Sequence, residues 1–263
     1  FAVANKEPNR NDYVESTPNS RPEYEALYDT EIGYKQNGDK LILGVNLYQM
    51  IYKNQLALTG EINDVGASTR TNIDESFRRG IEIEATYKLS DKISWGGNMT
   101  LSENKIVSHT AYIDNWDNGG QNKVDYENTD LAFSPNLIWA SNINYKLGSN
   151  TSIDLISKYV GEQFIDNTSS KDRMLDDYLV NNLRVSYKWN NKIFKISKLT
   201  LQVNNLLNNE YVSNAWVYRF ISDGWDPRGS DAYINTDSKK GYNMAGYFPQ
   251  ATRNYLLGIT LGF

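Results

Sequence analysis

Few side chains in this sequence are equipped for covalent chemistry. Its 263 residues hold no cysteine and one histidine, His109, so disulfide scaffolds, thiolate metal sites and cysteine nucleophiles are excluded. His109 lies among Ser108, Thr110 and Tyr112 in a segment that reads as loop. Its position supports no Ser–His–Asp triad, and the chain reads as non-enzymatic. Clustered oxygens are the next candidate. Asp114, Asp117, Asn118, Gly119 and Asp125 have the makings of a Ca2+ loop, since hard cations take several oxygens around a sharp glycine turn. Trp116 stands where that spacing wants an oxygen, and Asp125 replaces the bidentate Glu, so a solvated acidic loop is the competing reading.

Aromatic side chains are far more plentiful, with 19 Tyr and 6 Trp. Tyr112, Trp116 and Tyr126 fall between residues 108 and 136. Trp216, Tyr218, Trp225, Arg228, Tyr233, Tyr242 and Tyr247 fall between 207 and 253. Rings carried on loops supply contact area at low entropic cost. They would suit a flat chelate, a sugar or a corrin, with packing of the loops on themselves as the alternative. A formal net charge of −5 provides no positive surface to neutralise phosphates, which argues against nucleic acid as a partner. No apolar run approaches the roughly 18 residues of a helical membrane span.

The elements that must position these residues announce themselves by a period of two. Ile93, Trp95, Gly97, Met99 and Leu101 alternate with Ser94, Gly96, Asn98, Thr100 and Ser102, and Ile81, Ile83, Ala85 and Tyr87 with Glu82, Glu84, Thr86 and Lys88. Such alternation belongs to a strand lying between two different environments. Ten strands are expected, over residues 1–5, 27–36, 40–52, 77–89, 93–107, 137–147, 151–161, 178–189, 198–206 and 254–263. Short links at 37–39, 90–92, 148–150 and 190–197 alternate with long ones at 6–26, 53–76, 108–136, 162–177 and 207–253. Long loops at one end and short turns at the other are the layout of an outer-membrane barrel, with the loops outside the cell and the turns in the periplasm.

A soluble sandwich is the alternative, and three features weigh against it. Several strands reach the ten or so residues that cross a bilayer at a tilt. Tyr87, Tyr145, Tyr187 and Trp189 sit at strand ends, where interfacial girdles belong. The polar face carries Glu82, Glu84, Asp154, Lys158 and Arg184, which a packed soluble core would hold only at high cost. Ten strands leave sheet edges that hydrocarbon does not tolerate, so either the ten close on themselves or a larger barrel supplies the rest. The opening Phe1-Ala2-Val3-Ala4-Asn5 reads as the interior of something longer and favours the larger barrel.

Five segments in order resemble the C-terminal half of the barrel of a TonB-dependent outer-membrane receptor. They are Lys6-Glu7-Pro8-Asn9-Arg10; Arg21-Pro22-Glu23 with Glu31-Ile32-Gly33-Tyr34; Arg79-Gly80-Ile81-Glu82-Ile83-Glu84-Ala85; Val203-Asn204-Asn205-Leu206-Leu207-Asn208-Asn209-Glu210-Tyr211; and Pro249-Gln250-Ala251-Thr252-Arg253-Asn254-Tyr255. The resemblance covers residues 1–263 as one domain. It implies an all-β transmembrane antiparallel β-barrel, of which these are the last ten of 22 strands, in the outer membrane of a Gram-negative bacterium. It also implies partners: an N-terminal plug and the remaining strands, from the same polypeptide or a second chain, the TonB energy-coupling complex, and in some relatives a surface lipoprotein. By the same resemblance Glu31, Glu82 and Glu84 are expected to contact the plug. Tyr255, Leu257, Ile259, Leu261 and Phe263 resemble the terminal signal read by the barrel-assembly machinery. The function implied is active import of a scarce bulky nutrient such as a ferric siderophore, haem, cobalamin or an oligosaccharide, with a passive pore or structural surface barrel as the alternative. No cofactor is required by this reading.

Overall fold

The computed structural model describes every residue except 19, 64, 65, 67, 191, 192, 238–240 and 263. In chain order the strands are β1 (Ala2–Lys6), β2 (Glu25–Asn37), β3 (Leu41–Ile62), β4 (Ser68–Lys88), β5 (Ile93–Asn115), β6 (Gly120–Asp130), β7 (Leu137–Leu147), β8 (Thr151–Val160), β9 (Gln163–Phe164), β10 (Met174–Leu175), β11 (Tyr178–Lys188), β12 (Ile196–Asn204), β13 (Val212–Ile221), β14 (Ile234–Thr236), β15 (Tyr242–Pro249) and β16 (Asn254–Gly262). One six-residue helix, α1 (Arg10–Glu15), follows β1; Asn9 caps it and Asp12 returns the bond to the Asn9 amide.

Ten of these strands form a continuous antiparallel wall in the order β1-β2-β3-β4-β5-β7-β8-β11-β12-β16. They correspond one to one with the ten expected from alternation. Register explains the alternation directly. Leu41, Tyr87, Trp95, Ile143, Leu155, Leu183, Val203 and Tyr255 oppose one another in a single row across eight strands. Six residues further along β3, β4 and β5 the same face continues, in the row Ile32, Leu47, Ile81 and Leu101. Much of this face is open, with Ile32 71% and Leu257 71% exposed, an arrangement that water disfavours and hydrocarbon accepts.

The long connections differ from expectation. Residues 53–76 and 108–136 are largely ladder rather than loop: β3 and β4 stay paired to Leu58↔Arg70, and β5 turns back through β6. Within 207–253, β13 and β15 form a further hairpin, and β13 also meets the tip of β5 in parallel at Phe220↔Asp114. Beyond the wall neither face of a hairpin is held to one environment, so the period of two fades while backbone pairing persists. Small cores anchor these extensions. Ile73, Ile106 and Leu131 pack where the β3–β4 and β5–β6 hairpins part, and Ile165, Leu175 and Ala215 pack beneath β13.

Among the described residues β1 pairs only with β2, and β16 only with β12. Both edges therefore offer unpaired backbone groups. A bilayer would not leave these unsatisfied, and closure needs strands beyond these ten.

Candidate functional site

The polar face of the wall gathers ionisable groups because each strand contributes alternate residues to it. Glu31 opposes Tyr48, which opposes Gly80; Asn46 opposes Glu82; Gly44 opposes Glu84. Glu31 accepts a hydrogen bond from the Asn46 amide at 3.3 Å. Glu31 and Glu82 meet Arg78 and Tyr48 around a pocket of ≈ 300 Å³. Glu84 lies one step away: its side chain fills the space left open at Gly44, and its carboxylate is 4.0 Å from the Lys35 ammonium. Both partners of that pair are more than 60% exposed, so it adds little to stability. Gly80 is required where it stands, since a methyl there would run into the Leu101 carbonyl and the Tyr48 hydroxyl.

At the end bearing the long connections, the aromatic residues divide into groups. Trp116 stacks on Phe220 at 3.9 Å and faces Trp225 at 6.4 Å, near-parallel in both cases. Its indole N–H donates to the Tyr218 hydroxyl at 3.0 Å, and Tyr218 donates to Asp114 at 2.6 Å. Burial, and then the donation to Asp114, push the Tyr218 phenol up to about 12. Tyr112 and Tyr126 lie elsewhere, lining a cleft of ≈ 720 Å³ between the β3–β4 and β5–β6 hairpins together with His109. His109 stacks on Tyr126 at 5.5 Å, and burial holds its imidazole below the usual range. Trp216 lies across Gly246, Tyr233 is 76% exposed, and Arg228 makes a two-pronged pair with its neighbour Asp226. That pair holds the Asp226 carboxyl down to about 2.

The three candidate cation ligands take separate partners. Asp114 accepts from Tyr218 and Gln121, Asp117 from the backbone N–H groups of Asp223 and Gly224, and Asp125 from Thr110. Among the described residues no group of three or more such side chains is placed to hold a metal ion. Asp117 instead fastens the β5–β6 tip to the segment after β13. In β16, Tyr255, Leu257 and Ile259 project from one face and are each 65% or more exposed, with Leu261 beside them at 42%. Phe263 lies outside the described residues.

Several residues at this end carry no sequence signal. Arg173 is 1% exposed and donates to Asp166 and Asp237 at 2.6 Å each, while Arg219 adds a second contact to Asp237 at 3.1 Å. Two guanidiniums and two carboxylates thus neutralise one another where a lone charge would be costly. β13 was legible in principle: Ala215-Trp216-Val217-Tyr218-Arg219-Phe220-Ile221 has the aromatic and β-branched content of a strand. It lacks polar alternation because both of its faces pack. Trp216, Tyr218 and Phe220 share one face, and Ala215, Val217 and Arg219 the other.

Comparison with known proteins follows the same outline. The family model described as TonB dependent receptor-like, beta-barrel matches residues 25–206. No curated protein matches. Solved structures that resemble the chain include the ferric-catecholate import receptor Fiu from K12 E. coli in its closed form (18% identity, TM-score 0.63, 99% of this chain and 32% of that one). The copper transporter OprC (15%, 0.67, 99% and 36%) and the siderophore receptor PiuA from Acinetobacter baumannii (13%, 0.66, 98% and 32%) also resemble it. At these identities the likeness is one of fold, and the chain spans about a third of each receptor's length. With the family model covering most of the chain and the wall reproducing part of a receptor barrel, this chain belongs to the TonB-dependent receptor β-barrel family.

Proposed function

We propose that the chain forms part of an active importer in the outer membrane of a Gram-negative cell, the location its family implies. The importer takes up a scarce, bulky nutrient of the ferric siderophore, haem, cobalamin or oligosaccharide kind. One observation carries the reading: a single sheet has an apolar outer face and a polar inner face that brings Glu31 and Glu82 to the same pocket. Charged residues inside a membrane wall belong on a protein-filled or aqueous interior. In this reading Glu31, Glu82 and Glu84 hold a plug supplied by the rest of the receptor, and TonB draws on inner-membrane energy to displace it. Ion pairs at such an interface contribute little net stability but are costly to half-break, which suits a lock that must open. Tyr112, Trp116, Tyr126, Trp216, Tyr218, Trp225, Arg228 and Tyr233 form the outward tier that meets the nutrient. The exposed side chains of β16 serve recognition during barrel assembly.

A passive pore is the competing function and needs no plug. Substituting Glu31→Ala with Glu82→Ala in the full-length receptor separates the two. The importer should lose energy-dependent uptake and gain passive ion conductance. Unchanged uptake and conductance would sink the plug reading.

A further inference from the structure

We infer that the cleft between the β3–β4 and β5–β6 hairpins is a binding site for a neutral, hydroxyl-rich ligand, an oligosaccharide, and that it rejects anionic chelates. The inference names the nutrient class of the importer proposed above and rests on that reading. The cleft holds ≈ 720 Å³, within the roughly 300–1,000 Å³ of small-molecule sites. Three sides are fixed by the fold. At the base, Ile73 lines the cleft and belongs to the core with Ile106 and Leu131. At the tip, Gln121 donates to the Gly60 carbonyl at 2.9 Å, and Gly60, at φ +87, lies so close to the Tyr112 carbonyl that no side chain would fit there. On the third side, Asn72 fastens the segment of Arg21 and Glu23 to β4, accepting from the Glu23 amide at 2.8 Å and donating to the Glu23 carbonyl at 3.0 Å.

The lining decides what fits. Five carboxylates, those of Glu23, Glu61, Asp74, Asp125 and Glu127, share the cleft with one guanidinium, that of Arg21. His109 adds no charge at neutral pH, since burial holds its imidazole below the usual range. The Lys123 ammonium lies over the Tyr112 ring at 5.3 Å without lining the cleft. An anionic chelate would therefore enter against like charge. An ionised carboxylate only accepts hydrogen bonds, so the ligand must arrive rich in donors. Among the described residues the side chains of Asp74 and Glu127 make no hydrogen bond or ion pair, which leaves both carboxylates available. Thr59, Thr71, Ser108 and Thr110 add hydroxyls that donate as well as accept, and Tyr112 adds a rigid ring at low entropic cost. Sugar hydroxyls match this mixture, because each donates and accepts without bringing charge, while the C–H face of the sugar packs on the ring. A polyamine would answer the carboxylates, but an ammonium only donates and would leave the threonine and serine donors unmet.

The test places the full-length receptor in detergent on an array of neutral, acidic and amino oligosaccharides, with haemin, cyanocobalamin and a ferric tris-catecholate titrated separately. A neutral oligosaccharide is expected to bind, and the acidic glycans and the ferric chelate are not. Isothermal titration with that glycan should show Asp74→Asn with Glu127→Gln weakening binding by about 10-fold or more, the loss expected for hydrogen bonds to charged groups. Tyr112→Ala should weaken it as well. Neither carboxylate holds another residue, so the double variant should fold as wild type, which electrophoretic mobility with and without boiling checks. Binding to amino oligosaccharides alone, binding that the variants leave unchanged, or no neutral glycan bound would each overturn the inference. Energy-dependent cellular uptake of haemin, cyanocobalamin or the ferric chelate, with no glycan bound, would overturn it and leave the importer reading standing. A glycan held in the cleft but taken up equally with and without inner-membrane energy would sink the importer reading and leave the site.

Discussion

Tyr218 joins the two outermost hairpins through one hydroxyl, which accepts from Trp116 and donates to Asp114. Because the donation requires the neutral phenol, its consequence appears at alkaline pH. The folded-state value is pushed up from 10.0 to about 12, so an unfolded hairpin loses its proton first. The contribution is therefore complete below pH 10 and is lost as pH rises toward 12. Titrating the receptor while following the fluorescence removed by Trp116→Phe should reveal a transition in that window. Tyr218→Phe should abolish it and leave the near-neutral spectrum close to wild type. The same scale marks where sequence reading stops. Tyr112, Trp116 and Tyr126 could all be named as contact residues from type and loop position, but nothing local says that Trp116 packs on Phe220 while Tyr126 turns to the Arg219 guanidinium. Asp114, Asp117 and Asp125 are an instructive case. Close in sequence and suggestive as a group, they sit on a hairpin that points them at three different partners.

At the scale of the element, the wall strands were legible because each must satisfy two media at once, and that requirement is written residue by residue. Gly80 illustrates how tightly the wall is then drawn. It lies on the polar face between Tyr48 and Ser102, with the Leu101 carbonyl close against it. Gly80→Ala is expected to force the β4–β5 ladder apart at that point and cost about 1–3 kcal/mol, the range typical of overpacking. A lower urea midpoint for the refolded full-length barrel would register it; an unchanged midpoint would mean the ladder yields freely. The hairpins beyond the wall resemble loops in sequence for a complementary reason. β6 has only Val124 and Tyr126 as apolar residues on one face, and β13 is largely apolar on both, so neither shows the sustained contrast that marks a strand between water and lipid.

For the whole molecule, the consequence of a two-sided wall is an asymmetry in what each side tolerates. Ile81 and Glu82 are neighbours in sequence and face opposite ways. Ile81→Arg should cost about 2–4 kcal/mol if its row meets the bilayer midplane, whereas Glu82→Arg, which keeps its charge on the polar face, should cost the barrel wall clearly less. Urea unfolding of the receptor in lipid vesicles measures both, and equal effects would refute the assignment of faces. The open edges at β1 and β16 act at this scale too, since they make the ten strands dependent on the rest of the receptor. The wall is already present in the amino-acid sequence: its ten strands, their facing, and their kinship with receptor barrels. Each follows from alternation and short motifs, which are local properties. The outer tier depends on the folded arrangement instead. Trp116 and Tyr218 meet across 102 residues, and Arg173 and Asp237 across 64. Such contacts join side chains on separate hairpins, where no periodic environment constrains either partner; they exist only once the wall has fixed where each hairpin stands.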